Sequence, residues 1–376
     1  MTYKGFSATD FARTAATTLA HHMRDVEHAM LRNYQLGALL EASGQVNYNN
    51  GGRGFDWPVQ YRLHAIEGNT GETTRNFART NLWKVANLEY RGYQVVDSMY
   101  HKEMLENRGP EGVVKVFSSM TQRLEESIKQ GFGTQYYVDG NASGNEESWH
   151  GLESIFGIDG TVNVSTGAQR TANAADYVGY PSDTYAGLST ILGNYGGDQE
   201  SGVVWPDGIA DSEYDFWSPI VVNYTSTAFG GAADTWAAQG DEAMRYGIIH
   251  SQRNTTKNGQ ITNVQLGRDL YFDFLNLIDD KERIVISSEH SLRALGFKNT
   301  VSFDGVEVSW EAGMPAAVGY GLNYENIELK CMEDSMLRVE GPEYDIHSQA
   351  YNAVVSHLGN LKMNSPRNFF KLQAIA

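Results

Sequence analysis

The chain has 376 residues and a formal charge of −17, from 46 acidic and 29 basic side chains. Hydrophobic residues at 41% and charged residues at 20% describe an ordinary globular protein, which excludes disorder and collagen-like repeats; the length suggests roughly two domains. Lys and Arg form no clustered stripe, and even "NSPRNFFK" near the end carries only Arg367 and Lys371, so counterion-displacing recognition of nucleic acid is not expected.

The first residues, "MTYKGFSATDFARTAATTLA", lack an apolar core after a basic stretch, so no secretory signal is read there. No apolar run approaches the ~18 residues of a membrane span. The single cysteine, Cys331, excludes an internal disulfide, fits a reducing cytoplasm, and reads as a small packing residue. Residues 8–42 read as a loosely amphipathic helical arm, uninterrupted by Pro or Gly until Gly37. Within it "HHMRDVEH" puts His21 and His28 on one face beside His22 and Glu27. That set reads as a solvated face in preference to a metal site.

From Gly54 to Val95 two alternating arms flank "EGNTGETT", the pattern of a long hairpin. Trp57, Val59, Tyr61, Leu63 and Ala65 share one face, with Gln60, Arg62 and His64 on the other. Arms of about 14 residues would reach on the order of 45 Å. A lone two-stranded ribbon is marginal in water, so this one needs something to lie against.

A short helical stretch is read at 97–109, then the clearest helix of the chain at 110–133. Pro110 suits its first turn and Gly131 its end, and Val113, Phe117, Met120, Leu124 and Ile128 form an apolar stripe. Residues 136–219 are rich in Gly, Asn, Asp, Ser and Tyr and read as loops. Helical periodicity returns in "DTWAAQGDEAMRYGIIHSQRN" and "GRDLYFDFLNLIDDKERIVI", in which "RIVIS" begins a buried strand. "TVSFDGVEVSWE" sets Asp304-Gly305 between alternating apolar residues, the strongest short hairpin signal. "ENIELKCMEDSMLRVEG" and "NAVVSHLGNLKMNSPRNFFKLQAI" read as further strands, and the class is α+β.

No phosphate loop, dinucleotide fingerprint, nucleophile elbow or metalloprotease helix is present in the sequence. "EYDIH" places Glu343, Asp345 and His347 at alternate positions, a metal or acid–base pattern that reads better as an edge-strand charge ladder. "DGIADSEYDFW" and "YGGDQESGVVW" mix acids with aromatic residues as sugar clefts do, which leaves a glycoside hydrolase open. No catalytic residue, metal ligand or cofactor is assigned.

The order of parts, an arm, a long hairpin, one amphipathic helix, a Gly-rich middle and late strands, resembles the major capsid protein of tailed bacteriophages with its Hong Kong 97-type fold. "SWHGLESIF" resembles that family's segment after the spine helix, "FDGVEVSWEAGMP" its late hairpin, and "HLGNLKMNSPRNFFKLQAI" its closing strands. The resemblance implies an N-terminal arm at 1–45 and an extended E-loop hairpin at 46–92. It further implies a peripheral (P) domain with spine helix at 93–135 and an axial (A) domain at 136–321. P-domain return strands at 322–350 and a closing A-domain segment at 351–376 complete the set.

The same resemblance implies a self-assembling shell protein of hexamers and pentamers, enclosing double-stranded DNA without sequence-specific binding. Its place would be the virion capsid, assembled in the cytoplasm of a bacterial host. The hairpin would lie on a neighbouring copy, through Trp57, Tyr61, Phe77 and Trp83. Arg62, Arg75 and Arg79 would pair with Glu125, Glu126, Glu340 or Glu343 of that neighbour. Certain relatives cross-link a hairpin lysine to an asparagine; Lys84, with Asn352 or Asn360, is the candidate here, and non-covalent locking with a cement protein is preferred. Only about 45 residues precede the hairpin, so a separate scaffolding protein is expected, together with a portal. The negative charge would keep the inner wall from gripping phosphates. An encapsulin-type cellular shell stays open as an alternative.

Overall fold

The computed structural model describes residues 34–60, 64, 68, 71, 77, 82–102, 120, 124, 127–128, 131–156, 178–179, 184–190, 217, 219–230, 233–252, 259–281, 300–333 and 338–374. The arm up to residue 33, with His21, His22, Glu27 and His28, lies outside them, as do "RIVIS" and most of 103–130. Among the described residues no helix is long and apolar enough to cross a membrane.

Two sheets share one contiguous apolar core. The first is organised by β15 (Ala350–Met363), a strand of 14 residues. Strand β4 (Arg91–Tyr100) covers one edge of it, from Ala350 opposite Tyr100 to Gly359 opposite Arg91. Gly359 also pairs with Cys331, so β13 (Ile327–Met332) occupies the opposite edge. There it is followed in line by β14 (Arg338–Asp345), which pairs with the first half of β15. Outside β13 runs β1 (Val46–Asn50), parallel to it. Alternation explains this packing: Ile327, Leu329 and buried Cys331 face the core from β13 while their neighbours face outward.

Residues 97–100 belong to β4 and are not helical; only His101 and Lys102 begin a turn of helix. Ten ladder pairs with β15 override the local helical composition. Beyond it, Met120, Leu124, Ile128 and Phe132 are all buried and spaced four apart, one stripe of a helix. Residues 131–135 are helical, past the stop expected at Gly131. Gly133 is where glycine is required, since a Cβ there would collide with the ring of Tyr34.

The second sheet runs β10 (Thr300–Phe303), β11 (Val306–Trp310), β9 (Asn263–Leu266), β12 (Gly319–Leu322), β16 (Phe370–Gln373), β8 (Ile220–Asn223) and β5 (Val178–Gly179). Asp304 and Gly305 turn between β10 and β11 at φ +48° and +81°, the left-handed pair that a two-residue hairpin needs. Two helices, Trp236–Ser251 and Arg268–Lys281, pack on each other and against this sheet. Sheet membership changes between Met363 and Phe370, across the short turn of Pro366–Asn368.

The helix Gln35–Ala42, α1 here, buries Leu36, Leu39 and Leu40, and its first amide is held from far away in the sequence. Gln35 N–H donates to Glu311 Oε2 at 2.8 Å, and Ala312 N–H donates to the other oxygen at 3.0 Å. Burial raises the Glu311 carboxyl above its ordinary range, opposed by these backbone donors. Replacing Glu311 with Ala should therefore lower unfolding free energy by about 2–3 kcal/mol, since buried amides lose their acceptor. Urea denaturation should show a smaller loss for Glu311→Gln, which keeps one acceptor oxygen.

Candidate assembly surface

The base of the long hairpin is β2 (Gly54–Gln60) paired with β3 (Trp83–Glu89), in register from Gly54 opposite Glu89 to Gln60 opposite Trp83. Directly opposed residues share a face, so Phe55, Trp57, Ala86 and Leu88 form one side, and all four are buried. That side rests on the chain's own first sheet. The Lys362 ammonium stands 5.2 Å from the Trp57 ring centre and the Lys330 ammonium 5.3 Å from that of Phe55. Glu328 lies between the two lysines, at 3.3 Å from Lys362 and 3.8 Å from Lys330. Burial lowers the Lys362 pKa, partly offset by Glu328.

Trp57 also meets Tyr185 and Trp217, with both ring-centre separations at 6.4 Å. Trp217 ends the acid-rich stretch read as a sugar-cleft candidate, but it is fully buried in this aromatic group. Alternation showed which residues share a face; it left open which way the face points. Trp57, expected on a neighbouring copy, is 8% exposed and part of its own subunit's core. Lys84 is on the same side and half-buried.

The other side of the ribbon is largely exposed among the described residues. Trp83 and Val85 are 55% and 63% exposed, and Phe77, farther out, is 90% exposed. Between Gln60 and Leu82 the described residues are His64, Gly68, Gly71 and Phe77, and every one is exposed. Tyr61, Arg62, Arg75 and Arg79 lie outside the described residues, as do Glu125 and Glu126. Glu340 and Glu343 are placed on the solvent face of β14, opposite Val354 and Asn352 of β15, with exposed Val96 next across the sheet. Arg338 on the same strand pairs with Glu340 at 2.9 Å. Asp345 spends its carboxylate on its own turn, accepting from the backbone of His347 and Ser348. Asn360, considered for cross-linking, is fully buried: it donates to Glu89 C=O and accepts from His150 and Leu361 N–H, each at 2.9 Å.

Sequence reasoning missed the residues that seat the ribbon. Lys330, Lys362 and Glu328 sit in ordinary alternating strands, and Tyr185 stands in a loop-rich stretch with no periodic signal. Nearby, Trp149 is ringed by Tyr93, Phe132, Tyr136 and His357 at 4.7–5.6 Å. Arg91 fastens the loop before it, donating to the carbonyls of Gly140 and Ser148 at 2.6 and 3.0 Å. His150, buried beside Tyr185, is lowered to about 3 by burial and then by the Arg91 charge.

Nothing among the family models matches the sequence. No curated protein matches it either. The folded chain does match solved structures. A chain of the cyanophage A-1(L) capsid asymmetric unit superposes with a TM-score of 0.53 at 14% identity, over 90% of this chain and 92% of that one. The capsid of the native GTA particle gives 0.51 at 12% identity, covering 90% of each chain. The capsid of the empty GTA particle gives 0.51 at 10%, over 90% and 89%. The fold is the Hong Kong 97-type capsid fold. At such low identity these capsid chains share architecture with this one and lend it no individual residue.

Trp57→Ala should cost the isolated subunit about 3–5 kcal/mol in urea unfolding, the usual range for emptying a buried Trp site, whereas Trp83→Ala should stay within about 0.5 kcal/mol. His150 gives a second test. Its folded-state pKa is depressed, so the stability linked to it is complete above about 6.5, the unfolded value. That stability drains as pH falls toward about 3, by an amount on the order of 1.4 kcal/mol per pH unit. Denaturation curves across that window should be flatter for His150→Gln than for the parent.

Proposed function

We propose that the chain is a major capsid protein, a structural and non-enzymatic subunit that closes into hexamers and pentamers around double-stranded DNA. The observation that carries this is the ribbon: its base is anchored on one side, while Val85 on the other side and Phe77 farther along are strongly exposed. Exposed large apolar side chains on a two-stranded ribbon support an interaction site there. Capsid chains of the same fold over most of their length make a further copy of this protein the natural occupant. In these terms the ribbon is the E-loop, with the sheet around β15 and the stripe of Met120 to Phe132 as P domain. The second sheet and its two helices are then the A domain, and residues 1–45 the arm. Sheet membership favours ending the P-domain return at Met363.

On this reading Tyr61, Phe77 and Trp83 supply the neighbour contact and Arg62, Arg75 and Arg79 set its register. Glu340 and Glu343 on the open face of β14, with Glu125 and Glu126, would receive them. Exposed ion pairs contribute only ~0.2–1 kcal/mol each, so the apolar contacts dominate. The charge of −17 suits a wall that must release packaged DNA; an inner surface dense in Lys and Arg would contradict that. Separate scaffolding, portal and cement proteins complete the virion, assembled in the bacterial cytoplasm.

Removing residues 69–74 should abolish or strongly reduce particles in negative-stain images, while circular dichroism and size-exclusion show a folded, soluble subunit. Normal particles from that variant would sink the proposal. Trp83→Ala should shift the protein concentration needed for assembly upward by about tenfold, equivalent to ~1.4 kcal/mol for each ribbon seated on a neighbour.

A further inference from the structure

The hairpin base is held by a second, much smaller hairpin. Strands β6 (Thr184–Tyr185) and β7 (Leu188–Ser189) turn through Ala186 and Gly187 at φ +53° and +76°. A left-handed alanine is a strained choice that persists where its surroundings over-determine it, and here they do. The Ala186 carbonyl accepts the Asn87 N–H of β3 at 3.0 Å, a bond from the ribbon's own edge. Tyr185 is fully buried, and its hydroxyl donates to Leu361 C=O at 3.0 Å while accepting Met363 N–H at 2.8 Å. Its ring meets Trp57 of the ribbon and stacks on Trp217, whose indole N–H donates to Tyr185 C=O at 3.3 Å. Asn141 fastens the same turn from the other flank, donating to Thr184 C=O at 2.7 Å.

Through Thr184, Tyr185 and Ala186 the turn thus grips ribbon, central strand and loop at once. We infer that the turn of residues 184–189 is a bracket that fixes the direction in which the long ribbon leaves its subunit, with Tyr185 and Trp57 as positioning residues. The geometry explains the division of labour. Two strands joined by one ladder bend and twist freely, whereas a backbone hydrogen bond at Asn87 plus an indole wedged against Tyr185 leaves one angle. The inference deepens the assembly proposal, since a neighbour can be reached only at the angle the bracket allows. The bracket itself is testable on the isolated subunit, independently of whether particles form.

Cys331 is the only cysteine and is buried, so labels can be introduced elsewhere. Spin labels at Phe77→Cys and Ser98→Cys report ribbon against β4; labels at Ser98→Cys and Glu325→Cys report the subunit body. Double electron–electron resonance should give a narrow ribbon–body distance distribution in the parent. Trp57→Leu and Tyr185→Leu should each widen it at least twofold without changing the body pair. An unchanged ribbon width with an intact body pair overturns the bracket. Should a Leu variant also widen the body pair, Tyr185→Phe is read in its place: it keeps the ring and loses the bridge to Leu361 and Met363. A ribbon width equal to the parent's in that variant likewise overturns it. Loss of particles in the 69–74 deletion, or their survival, bears on the assembly proposal alone.

Discussion

A two-stranded ribbon has two faces and too little width to protect either. In this chain one face is solved internally, by seating Phe55, Trp57, Ala86 and Leu88 on the first sheet. On the opposite face Trp83 and Val85 stay more than half exposed. Everything distinctive about the molecule follows from that half-solution. The anchored face ties the base of the ribbon, Gly54–Gln60 with Trp83–Glu89, to the folded subunit.

The seat is built so that the ribbon inherits the rigidity of the core. Strand β15 is the reason. Its first half is paired with β4 and β14, its second half with β13, and it then leads through a single short turn into β16 of the other sheet. Tyr185 bonds to the backbone of β15 at Leu361 and Met363, and Asn360 on the same strand bonds to Glu89 at the ribbon's end. A displacement of the ribbon base must therefore break bonds to the most thoroughly paired strand in the protein. Interiors packed at crystal-like density transmit such strain instead of absorbing it.

How much of this could be read from sequence depends on the kind of information each element needs. The Asp304-Gly305 turn was legible because two left-handed residues in a row leave few choices. The stripe of Met120, Leu124 and Ile128 was legible because helical spacing is local. The hairpin was legible as a hairpin, since alternation and turn residues suffice. Its orientation was not: alternation of period two says that Trp57 and Phe55 agree with each other, and nothing about which side faces the core. Residues 97–100 failed for a different reason, since their partner in β15 lies some 250 positions later and local propensity cannot see it. Tyr185 failed most completely, because a bracket of six residues in a polar stretch has no period at all.

Charge completes the reasoning about the bare face. Several buried charges have partners: Lys371 contacts Glu153, Lys362 contacts Glu328, and Glu311 receives backbone amides. An internal Lys–Glu pair contributes nothing to the net charge, which stands at −17 over the whole chain. Copies that approach one another meet net repulsion, felt over a Debye length of about 10 Å at 0.1 M salt. If copies assemble as proposed, attraction must come from contacts that do not depend on sign, and exposed Val85 and Phe77 are of that kind. On that reading the net charge would also oppose disordered aggregation, because like-charged copies repel in random collisions.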